Sequence, residues 1–260
     1  MLALSLSPAL FGQWLNYPTA GVPRKSDGSP NLAAPAPRGR DGKPDLSGIW
    51  APLRRRPLDE SLAGQLNATG PFWDFGSVIS GGLPYQPWAA EVRNQRFADH
   101  SKDNPDVNCM PLGILQMNTH PFPRRFIQTP GYLAILHERD MEYRQIHTDG
   151  RPLPLDPQPA WNGYSSGKWT GDTLVVETIG FRDGLWADYD GSPLTSAAKI
   201  TERFRRLNFG SMEIEMTVDD AKAYTKPWTA KIELRLELDS DLLEYVCLEG
   251  EKDSRHMVGR

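Results

Sequence analysis

Five side chains in the second half of the chain have the types needed for proton transfer and anion stabilisation: Glu202, Glu177, His147, Arg144 and Arg151. Glu202 lies in ITERFRR, where period-two alternation puts it on one face with Ile200, Phe204 and Arg206. A carboxylate on an apolar face is costly unless it is paired. Two roles follow: a buried ion pair with an arginine that holds the fold together, or a general acid/base whose pKa is raised by desolvation. In DTLVVET both faces are largely apolar, and Glu177 shares one with Val175 and Ile179. In EYRQIHT one face carries Tyr143, Gln145 and His147, the other Glu142, Arg144 and Ile146. If the first set points inward, a pocket gains an imidazole able to exchange protons near neutral pH. Arg144 or Arg151 is the candidate anion stabiliser. Asp149 and Arg151 flank a glycine in TDGRPLP, which suits a tight turn whose arginine closes it or reaches a carboxylate. Trp161, Tyr164, Trp169 and Trp186 either line a mouth for a planar or sugar-like ligand or fill the core, and with Tyr143 and Asp149 they are the substrate-binding candidates.

Strand-like segments must position these groups. They are expected near 126–138, 141–148, 161–169, 172–180, 198–208, 211–218, 227–237 and 241–248, joined by Gly/Asp turns. In the seventh, Trp228, Ala230, Ile232, Leu234 and Leu236 alternate with Lys231, Glu233, Arg235 and Glu237; in the sixth, Met212, Ile214, Met216 and Val218 face inward. Such a run predicts an all-β, mainly antiparallel fold: an eight-stranded, calycin/lipocalin-like barrel over 126–260, with room for one small ligand. Residues 13–60 read as an extended Pro/Gly-rich arm in which SDGSPNL (Ser26 to Leu32) returns as RDGKPDL (Arg40 to Leu46), each an Asp-Gly turn followed by Pro-directed extended chain. LSGIW, at Leu46 to Trp50, reads as a plug for the barrel bottom. Residues 61–125 are expected to pack on the barrel as loops and one or two short helices, one starting at Pro87 with Trp88, Val92 and Phe97 as its apolar face.

A net charge of −4, from 29 basic and 33 acidic residues without a basic stripe, argues against nucleic acid as a partner. Residues 1–12, MLALSLSPALFG, are too short for a membrane span and read as the remnant of a secretory signal, so a secreted or periplasmic location is expected. In that compartment the two cysteines, Cys109 and Cys247, are expected to form a disulfide that ties the segment before the barrel to its last strand; two buried free thiols are the alternative. GxSxG, HExxH, P-loop and Rossmann signatures are all missing, and the five histidines have no metal-binding spacing, so neither metal nor cofactor is expected.

WLNYPTAGVPR, DGKPDLSGIW, YRQIHTDGRPLP, GYSSGKWTGDTLVVETIGF, ITERFRR and AYTKPW together resemble a broad group of uncharacterised secreted bacterial proteins, over most of the chain. The resemblance implies export and carries no activity with it. Members of that group often have a Pro-His pair shortly before the ERF strand; here the stretch is GSPLTSAA, with Leu194 at the histidine's place. The expected function is a secreted, cofactor-independent lyase or hydrolase acting on a small polar or aromatic molecule in the barrel. Glu202 and Glu177 are its acid/base candidates and His147 its proton shuttle. The alternatives are a lipocalin-like protein that binds a small ligand without turnover, and an envelope protein that makes contacts through its arm.

Overall fold

A computed structural model describes residues 18–53 and 74–250. The expected leader at 1–12 lies outside the described residues, as do 54–60 of the expected arm and 61–73 of the loop and helix region after it. In chain order the elements are β1 (Gly48–Pro52), α1 (Pro87–Ala98), α2 (Gly113–Thr119), β2 (Arg124–Thr129), β3 (Tyr132–His137), β4 (Tyr143–His147), β5 (Tyr164–Thr170), β6 (Thr173–Ile179), β7 (Leu185–Trp186), β8 (Pro193–Leu194), β9 (Lys199–Arg206), β10 (Ser211–Asp219), β11 (Trp228–Glu237) and α3 (Cys247–Gly250). Nine strands close a barrel in the order β1-β11-β10-β9-β6-β5-β4-β3-β2, with β1 hydrogen-bonded to both β11 and β2. β7 and β8 form a separate two-stranded sheet outside it.

The closed barrel and its alternation are as expected: the inward sets of β9, β10 and β11 are buried. The mainly antiparallel character holds as well, but the count of eight needs correction. The segment at 126–138 is two strands, because Pro130-Gly131 makes a turn in which Gly131 has a φ of 77°, and Thr129 pairs with Tyr132 across it. The segment at 241–248 is not a strand of the barrel. Its apolar residues Leu243 and Leu248 are exposed, Tyr245 makes one isolated bridge to Arg139, and Cys247 starts α3. LSGIW supplies the missing strand: Trp50 is wholly buried, and its indole N–H donates to the Leu46 carbonyl at 3.0 Å. β4 and β5 run parallel, with Ile146 opposite Ser165, so the barrel is mixed.

α2 sits against the barrel core. All seven of its residues are buried, and Asn118 Nδ2 lies 3.4 Å from the Met216 sulfur of β10. α1 forms where expected but buries Ala89; Trp88 and Phe97 stay largely exposed, and Trp88 donates its N–H to the Lys222 carbonyl at 2.8 Å.

The two repeats of the arm fold alike. Gly28 and Gly42 take positive φ, Asp27 and Asp41 accept from the backbone N–H groups of Ser29 and Lys43, and Arg24 and Arg38 donate to the Gly28 and Gly42 carbonyls. Arg38 also forks onto Asp172 in the β5–β6 turn, which ties the arm to the barrel. A disulfide joins Cys109 to Cys247, 138 residues apart. Among the described residues no helix is long and apolar enough to cross a membrane.

Candidate functional site

The burial of β4 decides which of its two polar faces points inward. Arg144 and Ile146 are buried, Tyr143 and Gln145 exposed, because Arg144 stands opposite Ile135 of β3 and Ile146 opposite Leu133, both core residues. Arg144 meets Glu202 with both guanidinium arms, Nη1 to Oε1 at 3.0 Å and Nη2 to Oε2 more closely. Nη2 also donates to Ser165 Oγ and Thr178 Oγ1, each at 3.1 Å, and these hydroxyls lie 2.9 Å apart. A fork of this kind occupies both carboxylate oxygens, so Glu202 stands as one half of a buried, hydrogen-bonded ion pair.

Beside the pair lies a small cavity lined by Asn118, Arg124, His137, Arg144, Glu202 and apolar neighbours, with room for about one water molecule. Arg124 Nη1 donates to Asn118 Oδ1. Burial holds His120 neutral, with a pKa near 3, and pushes His137 well below its usual value, with the charge of Arg124 acting in the same direction on both. The barrel interior is therefore filled, and it offers far less than the roughly 300 Å³ at which ligand pockets begin.

The other expected site residues do not join Glu202. Glu177 stands on the outer face of β6, 45% exposed and ion-paired with Lys199. His147, at the end of β4, packs between Tyr132 and Tyr164 with ring centroids 5.7 and 5.3 Å away, and slight burial lowers its pKa. Arg151 closes the neighbouring turn by a fork onto Asp149, at 2.7 and 3.0 Å. Hydrogen bonds from Arg151 hold that carboxyl down at about 2. Tyr143 is 65% exposed. The tryptophans disperse: Trp161 lies under Arg182 at 4.2 Å, Trp169 borders a crevice of about 60 Å³ with Gln128 and Leu174, and Trp186 is buried under Arg96 at 4.3 Å.

A groove of ligand size occurs elsewhere, between the end of α1 and the loop joining β7 to β8. It measures about 590 Å³ and is lined by Phe97, Ala98, His100, Ser101, Tyr189 and Asp190. The stretch WADYDGSP builds its far wall. Asp188 is wholly buried and accepts from Ser192 N at 3.1 Å, Ser192 Oγ at 2.7 Å and Phe75 N at 3.3 Å, while Tyr85 hydroxyl and Ser192 Oγ lie 2.8 Å apart. Gly191 lets α1 come close, since a Cβ there would stand 2.7 Å from the Arg96 side chain. Arg96 donates to the Gly191 carbonyl at 2.9 Å. The near wall follows the end of α1, where His100 and Ser101 both take φ near +55° and Ser101 Oγ donates to the Tyr189 carbonyl at 2.8 Å. Two successive residues other than glycine in the left-handed region mark a chain path held by its surroundings.

Within the groove Asp190 accepts from Arg93 Nη2 at 2.8 Å. Burial and the nearby Asp74 raise its carboxyl to about 6, against the opposing pull of Arg93. Burial, reinforced by Asp74, also pushes Asp188 upward. No family model matches the chain, and no curated protein matches it.

Strand parity could not have found Asp190, because it sits in a turn. The available signal is two carboxylates around Tyr189 in WADYDGSP, just before Leu194, where the resemblance leads one to expect a histidine. Leu194 itself is buried in β8 opposite Leu185.

Proposed function

We propose that the protein acts on a small polar or aromatic molecule held in the groove beside α1, by cofactor-independent acid/base chemistry of the lyase or hydrolase class. One observation carries this reading: Asp190, a carboxyl whose pKa is raised to about 6, borders a space of ligand size together with His100, Tyr189 and Phe97. A carboxyl tuned toward neutrality is poised to take and return a proton. Phe97 and Tyr189 offer faces for a ring, and Ser101 lies at the same rim. A calycin-like ligand site inside the barrel draws less support, because that interior is filled by Glu202, Arg144 and their neighbours. The disulfide, together with the apolar stretch at 1–12, supports a secreted or periplasmic location.

Incubation with a pooled panel of small phenols, amines and hydroxy acids, followed by mass spectrometry, tests the proposal. The wild type is expected to yield a product, and Asp190→Asn to lower that turnover by roughly 10²–10⁴-fold while remaining folded. An undiminished rate in Asp190→Asn would remove Asp190 from the reaction. A second reading, binding without turnover, is favoured by the contact from Arg93 that Asp190 already accepts. It predicts a ligand that raises the melting temperature and is recovered unchanged.

A further inference from the structure

The charges around the barrel cavity do not balance. Two guanidinium groups, Arg124 and Arg144, face a single carboxylate, Glu202, and that carboxylate is taken up by Arg144 through both oxygens. Arg124 is wholly buried; burial lowers its pKa only to about 10, so it remains a cation at neutral pH. Its Nη1 reaches Asn118, which is uncharged. Its Nε and Nη2, and Nε of Arg144, are buried without a hydrogen-bond partner among the described residues. Each such buried donor is destabilising, and an uncompensated buried charge is more so. His137, on the same cavity wall, is held neutral by burial and by the two arginines, so it adds no counter-charge.

We propose that this cavity binds one halide ion, chloride under ordinary conditions, held by the unpartnered N–H groups of Arg124 and supported by Asn118, His137 and Arg144. Three observations select that ligand. The excess charge is positive, so the ligand is an anion. The unpartnered groups are N–H donors, which an anion accepts without needing a proton of its own. The space admits about one small particle: a chloride, somewhat larger than a water molecule, would fill it tightly, and a carboxylate, sulfate or phosphate is too large. A water would satisfy donors but leave the charge of Arg124 unbalanced. The site is independent of the groove, so either assignment can fail without the other.

Crystals of the wild-type protein equilibrated in bromide, with data collected at the bromine absorption edge, provide the test. The expected result is one anomalous peak in the cavity within hydrogen-bond distance of Arg124 Nε and Nη2. In solution, at constant ionic strength, the melting temperature should rise by roughly 3–5 °C for each tenfold increase in chloride over gluconate once the site is saturated. Arg124→Met should abolish this rise. If that variant does not fold, the bromide experiment on the wild type still decides. An ordered water with no anomalous peak overturns the proposal, and so does a salt-dependent melting shift unaccompanied by a peak, which is a general salt effect.

Discussion

Inside the barrel Glu202 meets Arg144 through both oxygens, with Ser165 and Thr178 behind the pair; beside α1, Asp190 meets Arg93 at 2.8 Å and borders open space. Both are acid–arginine contacts in largely buried surroundings. They differ in access. Glu202 is sealed, while Asp190 combines a raised pKa with a groove that a molecule can enter. A charge on a buried face is thus a signal of architecture first. Reactivity needs space next to it.

The largest effect should come from the disulfide, which anchors the stretch after the groove wall, at Cys109, to the C-terminal segment and does not clamp the barrel strands. Replacing both cysteines, Cys109→Ser with Cys247→Ser, should lower stability in urea by about 5 kcal/mol on the chain-entropy account of a loop this long. Glu202→Gln should cost about 3–5 kcal/mol, because it leaves Arg144 buried without a counter-charge, whereas the double change Glu202→Leu with Arg144→Met should recover most of that loss. If Glu202→Gln instead unfolded normally and abolished turnover, the comparison would be inverted and the barrel would be the reactive region.

A smaller effect separates the two regions by pH. The pKa of Asp190 is near 6 in the folded protein and about 4 in the unfolded chain. Its ionisation in the native state is therefore unfavourable: the associated stability is full below about pH 4 and is lost as pH rises through 6. Asp190→Asn should abolish that loss, a gain of roughly 1–3 kcal/mol at pH 7 relative to pH 4, read as the difference between wild-type and variant urea midpoints. His120, buried between α2 and β2, has the opposite sign. With a folded pKa near 3, it contributes stability above about pH 6.5 that is lost as the pH falls. The smallest effect is expected on the outer face, where Glu177→Ala and Arg151→Ala should leave both the melting temperature and turnover unchanged within error, since exposed ion pairs contribute little.

Strand alternation made the interior legible. It assigned the buried faces of β9, β10 and β11, including the odd positions of Glu202 and Arg206, because period two holds wherever one face is buried. It left the partner of Glu202 open, since β4 is polar on both faces and only its pairing with Leu133 and Ile135 selects Arg144. It also merged β2 with β3, whose alternation continues on both sides of Pro130-Gly131, and it overlooked β1, five residues whose partners lie far along the chain. The groove was not legible at all. It is assembled from the end of a helix and a turn almost ninety residues later, and neither carries a periodic signal.

Without β1, the other eight barrel strands form a curled sheet whose two edges, β2 and β11, face each other across one empty strand position. Gly48–Pro52 fills that position, with Trp50 opposite Leu236 on one side and Arg124 on the other. During synthesis β1 is made first, yet it can be locked in only after β11 has emerged, so barrel closure waits for nearly the whole chain. Until then both edges expose unpaired backbone groups, a state open to mispairing with other chains. The same arrangement makes the barrel a candidate for fragment complementation: a peptide carrying LSGIWAP, added to a chain that begins after it, has a ready-made slot between two edges.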